Sequence, residues 1–161
     1  MELIVAVYED WGIGKDGTQP VTLSADRKFF REITKGAAVI VGRRTVEDFP
    51  GRKPLPGRKN IVLSRSTPSL PGFTVCKSVE EAQEATQSEE RVVVIGGGHI
   101  YRQLLPLCQK AYVTRLGCCP ESDTFFPDLD QEPGWQAPIL LQAGEENGIA
   151  YQMLLYCRQK T

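Results

Sequence analysis

Short apolar runs rich in valine and isoleucine recur along the chain, and they constrain its fold more than any other feature. The runs cover residues 3–8, 37–41, 60–64, 73–76, 92–95, 110–116, 138–142 and 150–157. Most are continuous rather than alternating in polarity, which is typical of strands that are covered on both faces. A largely parallel sheet is therefore expected.

Helical patterns lie between these runs. Ser24 can cap a helix that runs to about Thr34, with its large apolar side chains on one side. Shorter helices are predicted at 45–49, 78–82 and 98–105. Strands that alternate with helices indicate an α/β domain, and 161 residues suit a single domain over 1–161. The last two runs, joined through 144–148, predict an antiparallel hairpin, so the sheet is expected to be mixed.

Composition excludes several classes of function. Lysine and arginine number 19 and aspartate and glutamate 20, so a net charge of −1 gives no basic surface for nucleic acid. The single histidine, His99, cannot build a histidine-rich metal site, and we expect no metal. No apolar run approaches the roughly 18–20 residues that span a bilayer, so we expect no membrane association. The five irregularly spaced cysteines favour free thiols in the cytoplasm.

Two segments repeat one arrangement, in which a buried strand is followed by glycine and a helix start. They are Val41-Gly42-Arg43-Arg44-Thr45 and Ile95-Gly96-Gly97-Gly98-His99-Ile100-Tyr101. A helix N-terminus exposes unpaired N–H groups that bind phosphate, and glycine lets phosphate approach the backbone. Two such turns in one sheet could hold the two ends of a dinucleotide. Neither matches G-x-G-x-x-G, and two tight turns without a ligand are an equal alternative for either segment.

Arginines beside the first turn sharpen this hypothesis. Arg43 and Arg44 follow Gly42, and Arg65 follows the next strand at Leu63-Ser64. Neighbouring parallel strands end at the same edge, so these cations could converge on an extra phosphate, which favours NADP over NAD. The alternative is that each is a solvated surface arginine.

Asp26 is the most informative single residue. Phe30 and Ile33 follow it at i+4 and i+7, so its carboxylate shares the apolar face of the first helix. A carboxylate on a buried face is unfavourable unless it is paired or used. Thr114, on a later strand, could supply a hydroxyl. On pattern alone, the slightly favoured alternative is an anion that stabilises the helix start.

The order and spacing of these motifs resemble the dihydrofolate reductase family over essentially the whole chain. The motifs are Ile4-Val5-Ala6, Trp11-Gly12-Ile13-Gly14, Leu23-Ser24-Ala25-Asp26, the two glycine turns, the segment 54–64, Tyr112-Val113-Thr114 and Asp123-Thr124-Phe125-Phe126-Pro127. The resemblance implies a three-layer α/β fold with a mostly parallel eight-stranded mixed sheet, an antiparallel C-terminal hairpin and about four helices. It also implies NADPH-dependent reduction of 7,8-dihydrofolate to tetrahydrofolate, in a cytoplasmic monomer that binds antifolate inhibitors.

The resemblance also implies roles for individual residues. Asp26 and Thr114 would be catalytic, with Asp26 binding the pterin and promoting protonation of N5. The substrate would contact Ile4, Val5, Ala6, Asp26, Phe30, Phe49, Leu55, Arg58, Ile95 and Thr114. The cofactor would contact Ala6, Ile13, Gly14, Gly42, Arg43, Arg44, Thr45, Leu63, Ser64, Arg65, Ile95, Gly96, Gly97, Gly98, His99, Ile100 and Tyr101. The Gly96-Gly97 peptide bond would be cis.

Two residues depart from the family's pattern in its active-site loop. Gln19 replaces a large apolar residue that helps to shield the nicotinamide, and Val21 replaces a tryptophan whose N–H helps to order a water near the pterin. The two differences bear on the predicted proton path and on closure of the loop, and they leave the predicted fold unchanged.

Two other classes of function remain open. One is a related pterin or pyrimidine reductase, such as that of riboflavin synthesis, although Asp26 and Arg58 suit a 2-amino-4-oxopyrimidine ring and a glutamate tail better. The other is a nucleotide-binding module without enzymatic activity, which would have no need of an acid on the Phe30 face.

Overall fold

A computed structural model describes residues 1–160 of the chain. The strands are β1 (Glu2–Val7), β2 (Gly12–Gly14), β3 (Ala38–Gly42), β4 (Lys59–Leu63), β5 (Thr74–Cys76), β6 (Val92–Gly96), β7 (Lys110–Leu116), β8 (Thr124–Phe125), β9 (Ile139–Glu146) and β10 (Ile149–Cys157). The α-helices are α1 (Ser24–Thr34), α2 (Arg43–Val46), α3 (Val79–Ala85) and α4 (Gly98–Leu104). Single 3-10 turns lie at Pro50–Arg52 and Leu105–Leu107.

The main sheet has eight strands in the order β5-β4-β3-β6-β1-β7-β10-β9. All its neighbouring pairs are parallel except those made by β10, which runs antiparallel to β7 and β9. β2 and β8 form a separate two-stranded antiparallel sheet. The predicted α/β fold is confirmed, as are the mostly parallel mixed sheet and the C-terminal hairpin.

The apolar runs became strands because the central ones are buried on both faces. Every residue of β3 is buried, and one core cluster packs around Leu3, Ile40 and Val94 while a second packs around Ile4, Val39 and Val93. Since successive strand residues point to opposite faces, the two clusters are the two sides of the sheet. The carboxyl ends of β1, β3 and β6 therefore lie together at one edge of the sheet, and the packed core on both faces holds them in place.

The hairpin is tighter than the sequence predicted. Its turn is Asn147-Gly148, and both residues have positive φ, 53° and 78°, which suits a two-residue turn between twisted strands. β9 therefore runs to Glu146, and the predicted connection at 144–148 was wrong because most of it is strand.

The start of α1 also differs from expectation. Ser24 was predicted to cap the helix, but it is the first helical residue and Leu23 precedes it without a side-chain cap bond. The carboxylate of Glu146, on β9, accepts hydrogen bonds from Ser24 N (2.8 Å), Ser24 Oγ (2.7 Å) and Ala25 N (3.0 Å). A residue 122 positions away therefore satisfies the orphan N–H groups of this helix.

The remaining helices lie close to their predicted positions. α2 begins at Arg43, two residues before the predicted start at 45, and α3 is capped by Ser78, whose side chain accepts from Glu81 N at 3.1 Å. Within residues 1–160, no helix combines the length and the apolar composition that crossing a bilayer requires.

Candidate active site

A large cleft with a volume of about 1550 Å³ lies at the edge where β1, β3, β4 and β6 end. It exceeds the roughly 300–1,000 Å³ of a typical small-ligand pocket, so it has room for a dinucleotide. Every residue that the sequence assigned to the cofactor lines it, namely Ala6, Ile13, Gly14 and residues 42–45, 63–65 and 95–101. The two glycine turns and the arginines predicted to converge thus lie around one space.

The glycine turns pack closely against neighbouring side chains, so that a Cβ at either turn would collide with one. A Cβ on Gly42 would lie 2.8 Å from Ile100 Cγ1, and one on Gly98 would lie 2.5 Å from Thr124 Cγ2. Gly96 has a φ of 122°, which L-residues rarely adopt, and the Gly96-Gly97 peptide bond is cis. The structure thus has the cis bond that the family resemblance implied, and both turns line the cleft.

The cations of the cleft are mostly unpaired. Arg43 forms an exposed ion pair with Glu47 (3.4 Å), whereas Arg44 and Arg65 form none within the part of the chain that the structure describes. Both line the cleft. A ligand phosphate therefore has two arginines available to it, which suits a phosphate carried by the ribose of NADP.

Asp26 lies in the first turn of α1 and is half-buried. Burial raises the pKa of its carboxyl, and the Thr114 hydroxyl and Arg27 partly offset that rise. Asp26 also adds to the effect of burial in raising the pKa of Tyr101, which lines the cleft, so the acid lies beside the cleft wall. A carboxyl in this environment holds its proton more readily than one in water.

Thr114 lies on β7 beneath this acid. Its hydroxyl is fully buried and has no hydrogen-bond partner of ordinary geometry among residues 1–160, although it is close enough to Asp26 to lower its pKa. A buried hydroxyl without a partner is unfavourable. The pair predicted from the sequence is therefore adjacent, and the hydroxyl remains free to bond with a ligand group.

The apolar residues assigned to the substrate form one wall. Ile4, Phe30, Phe49, Leu55 and Ile95 belong to a single apolar cluster on one face of the sheet. Of the substrate set, Val5, Ala6 and Ile95 line the main cleft, whereas Ile4, Asp26, Phe30, Phe49, Leu55, Arg58 and Thr114 lie outside its lining. The structure therefore gathers the cofactor set completely and the substrate set beside it.

Arg58 lies beyond this wall. Its Nε donates to Thr34 Oγ1 (3.0 Å) and its Nη1 donates to the Pro56 carbonyl (3.1 Å). Burial and nearby Arg31 both lower the pKa of this guanidinium, since each disfavours its charge. An anion bound between the two arginines would relieve their repulsion.

Comparison with known proteins agrees with this arrangement. A family model described as dihydrofolate reductase matches residues 1–158. Dihydrofolate reductase of Haemophilus influenzae is 38% identical over 159 residues, which cover 98% of each chain. A solved dihydrofolate reductase from Enterococcus faecalis, complexed with NADP(H) and RAB-propyl, is 36% identical with a TM-score of 0.85, covering 99% of this chain and 96% of that one.

The chain belongs to the dihydrofolate reductase family. It also matches longer plant proteins: the bifunctional dihydrofolate reductase-thymidylate synthase of Glycine max is 36% identical over 182 residues, which cover 99% of this chain. The chain spans about a third of the length of that relative, 34%.

The residues of the cleft fit the cofactor of the dihydrofolate reductase family. The backbone of the two glycine turns lines the cleft and suits a pyrophosphate, and the unpaired Arg44 and Arg65 suit a further phosphate. Among the described residues, no cluster of three or more histidine, cysteine, aspartate or glutamate side chains is suited to a metal ion.

The loop between β2 and α1 carries this chain's two departures from the family's pattern. Residues 16–19 and Thr22 line the cleft, and Gln19 Nε2 donates to the carbonyl of Ala6 (2.9 Å). Asp16 N donates to Asp123 Oδ2 (2.9 Å), which ties the other end of the loop to the start of β8. Despite the substitution at position 19, the loop lies against the cleft.

Several lining residues were absent from the sequence-based set. Lys77, Ser78, Val79 and Glu80 follow β5, whose end reaches the same edge because it is parallel to β4. That rule, already applied to Arg65, could have found them. Gln103 also lines the cleft, one turn of α4 beyond His99, and no sequence pattern pointed to it.

Proposed function

We propose that this chain is an NADPH-dependent dihydrofolate reductase that reduces 7,8-dihydrofolate to 5,6,7,8-tetrahydrofolate for one-carbon metabolism. The observation that carries the proposal is the position of Asp26, a half-buried acid with a raised pKa beside a cleft suited to a dinucleotide. A nucleotide-binding module would not need that acid. Membership of the dihydrofolate reductase family supports the same reaction.

Asp26 would bind the amino-pyrimidine edge of the pterin and promote protonation of N5. Its raised pKa favours the protonated carboxyl relative to an aspartate in water, so the acid keeps its proton to a higher pH at this end of the site. The unpartnered hydroxyl of Thr114 would bond either to Asp26 or to the amino group of the pterin. When bound, NADPH supplies the hydride for C6, and the walls at Val5, Ala6 and Ile95 would exclude water there.

The cofactor would lie across the two glycine turns. Gly42–Thr45 and Gly96–Tyr101 would hold its phosphates and nicotinamide, with Ile13, Gly14 and His99 beside them. Arg44 and Arg65, with Leu63 and Ser64, would bind the ribose that carries the extra phosphate. Arg43, already paired with Glu47, would contribute less to that phosphate.

The substrate's tail would leave the site over the apolar wall. Phe30, Phe49 and Leu55 would pack against its aminobenzoyl ring, and Phe49 is itself held by stacking on Phe73 at 6.4 Å. Arg58 would bind the α-carboxylate of its glutamate. The bonds to Thr34 and Pro56 orient the guanidinium before the substrate arrives.

We further infer that residues 1–161 form one domain that acts as a cytoplasmic monomer and binds antifolate inhibitors. Support for one domain comes from the eight-stranded sheet, whose strands are drawn from residues 2–157, and from relatives such as the Haemophilus influenzae dihydrofolate reductase, whose length the match covers almost completely.

The proposal is tested by following absorbance at 340 nm with dihydrofolate as substrate. We expect consumption of NADPH and much slower consumption of NADH. An aminopyrimidine ribityl phosphate replaces dihydrofolate in a parallel assay, and turnover of that compound alone would favour the related reductase. Tight NADPH binding without turnover of any pterin would favour the nucleotide-binding module and contradict the proposal.

A further inference from the structure

Tyr8 makes an unusual contact with the loop that lines the cleft. It follows β1 directly and is fully buried, with its ring packed among Leu23, Leu116 and Val21. Its hydroxyl accepts a hydrogen bond from Val21 N and donates one to the Val21 carbonyl, both at 3.0 Å. One side chain thus satisfies both backbone polar groups of a single loop residue.

The backbone around Val21 has little else to fix it. Lys15 and Thr18 pair with each other, and α1 begins at Ser24, but residues 19–22 form no backbone–backbone hydrogen bond in the described structure. Tyr8 therefore supplies the two bonds that define the backbone position here. Besides the bond from Arg27 Nη1 to Thr22 Oγ1 (3.2 Å), the other side-chain tie to this segment is the bond from Gln19 to the carbonyl of Ala6.

These two ties hold the segment Gln19-Pro20-Val21 against positions 6 and 8 of the chain. Val21 packs into the core beside Tyr8, while Gln19 and Thr22 on either side of it line the cleft. Fixing Val21 therefore fixes where the two flanking side chains reach the cleft, next to Ala6. This is the end at which the proposed function places the pterin and the nicotinamide.

We propose that Tyr8 is a positioning residue of the active site, which acts through the backbone of Val21 to hold the loop 15–22 against the reaction end of the cleft. Its effect on catalysis rests on the proposed function, whereas its effect on the loop does not. Tyr8 has no contact with substrate or cofactor in this role.

Tyr8→Phe is the variant that isolates the hydroxyl, because it keeps the aromatic ring in the core. Both hydrogen bonds of the hydroxyl would be lost, so the loop should leave its position at least tenfold more often. Tyr156→Phe is the matched control: Tyr156 is also fully buried, and its hydroxyl bonds to Asp130 (2.9 Å), which does not line the cleft.

The loop is tested by amide hydrogen exchange, followed by NMR on the full chain without ligands. In Tyr8→Phe we expect the Val21 amide to exchange at least tenfold faster than in the parent, with the amides of β1 unchanged. Tyr156→Phe should leave the exchange rate of the Val21 amide unchanged. Unchanged exchange at Val21, or an equal increase throughout β1, would overturn the anchoring role.

Catalysis is tested by single-turnover hydride transfer with both ligands saturating. We expect Tyr8→Phe to lower the rate about tenfold, with the dissociation constant for dihydrofolate within about twofold of the parent, and Tyr156→Phe to change neither. Faster Val21 exchange with an unchanged hydride rate would overturn the role in catalysis. If the parent itself reduces no dihydrofolate, the proposed function fails, and the exchange result alone decides whether Tyr8 holds the loop.

Discussion

The proposed cofactor half and the proposed substrate half of the site differ in the groups that form them. The cofactor half consists of backbone at two glycine turns and of arginines such as Arg44 and Arg65 that line an open cleft. The substrate half consists of a half-buried acid, a buried hydroxyl and an apolar wall. The arginines of the cofactor half are in contact with water, whereas the acid of the substrate half is partly buried.

This difference assigns binding to one half and proton chemistry to the other. Solvated arginines hold a permanent charge and can bind an anion without any change of protonation. A carboxyl that is taken out of water has a raised pKa, so it keeps its proton at a higher pH than an aspartate in water does. Changes in the substrate half should therefore alter the rate of the reaction, and changes in the cofactor half should alter affinity.

The largest effect is expected from Asp26→Asn. The side chain keeps its size but loses its ability to promote protonation, so hydride transfer at pH 7 should fall by about 10²- to 10⁴-fold. Part of the rate should return in acid, where the substrate is protonated by solvent. The control is Glu32→Gln, an exposed residue of the same helix. Wild-type turnover in Asp26→Asn at pH 7 would remove Asp26 from the mechanism.

An intermediate effect is expected when Arg44 and Arg65 are both replaced by Gln. Charge-assisted hydrogen bonds contribute about 1.5–3 kcal/mol each, so KM for NADPH should rise by tenfold or more while KM for NADH stays within about twofold. Arg102→Gln, an exposed change on α4 outside the cleft, serves as control. Equal losses for both cofactors would contradict the assignment of these arginines to the extra phosphate.

A smaller effect is expected from Arg58→Lys. A point charge cannot reproduce the planar fork of the guanidinium or both of its bonds to Thr34 and Pro56. We expect the dissociation constant for dihydrofolate to rise by roughly tenfold with little change in KM for NADPH. Titration by fluorescence quenching measures it, and an unchanged value would point to a different contact for the tail.

The smallest expected effect is that of Asp26→Asn on stability. Here the substitution should stabilise the fold, whereas the changes above impair catalysis or binding. Since the folded state raises the pKa of Asp26, ionisation opposes folding as the pH rises through that pKa, whereas the protonated acid carries no such penalty. Asp26→Asn should therefore raise Tm at pH 7, as measured by thermal unfolding. The gain should vanish near pH 3, and a lower Tm at pH 7 would contradict the account of its burial.

The two halves also differed in how far the sequence predicted them. The residues assigned to the cofactor all line one cleft, because glycine turns after buried strands are local signals and parallel strands bring their ends to one edge. Their contacts with a cofactor stay a prediction. The hairpin was predicted as such, but the length of β9 depended on positive φ at Asn147 and Gly148.

The contacts that position the acid were not predictable in the same way. Glu146 caps α1 from 122 residues away, and Tyr8 bonds to the backbone of Val21 across a loop. Both depend on how separate elements pack, for which neither periodicity nor spacing gives a signal. The adjacency of Thr114 and Asp26 was expected, but the hydroxyl's lack of a partner in this structure was visible only in three dimensions.

The pH dependence of single-turnover hydride transfer in the unmodified protein tests the central claim most directly. Because burial raises the pKa of Asp26, the protonated form should persist above the ordinary range of an aspartate. We expect the rate to be highest in mild acid and to fall about tenfold per pH unit above that raised pKa. A rate that stays constant between about pH 5 and pH 8, or that rises across this range, would contradict the assignment of proton supply to this half-buried acid.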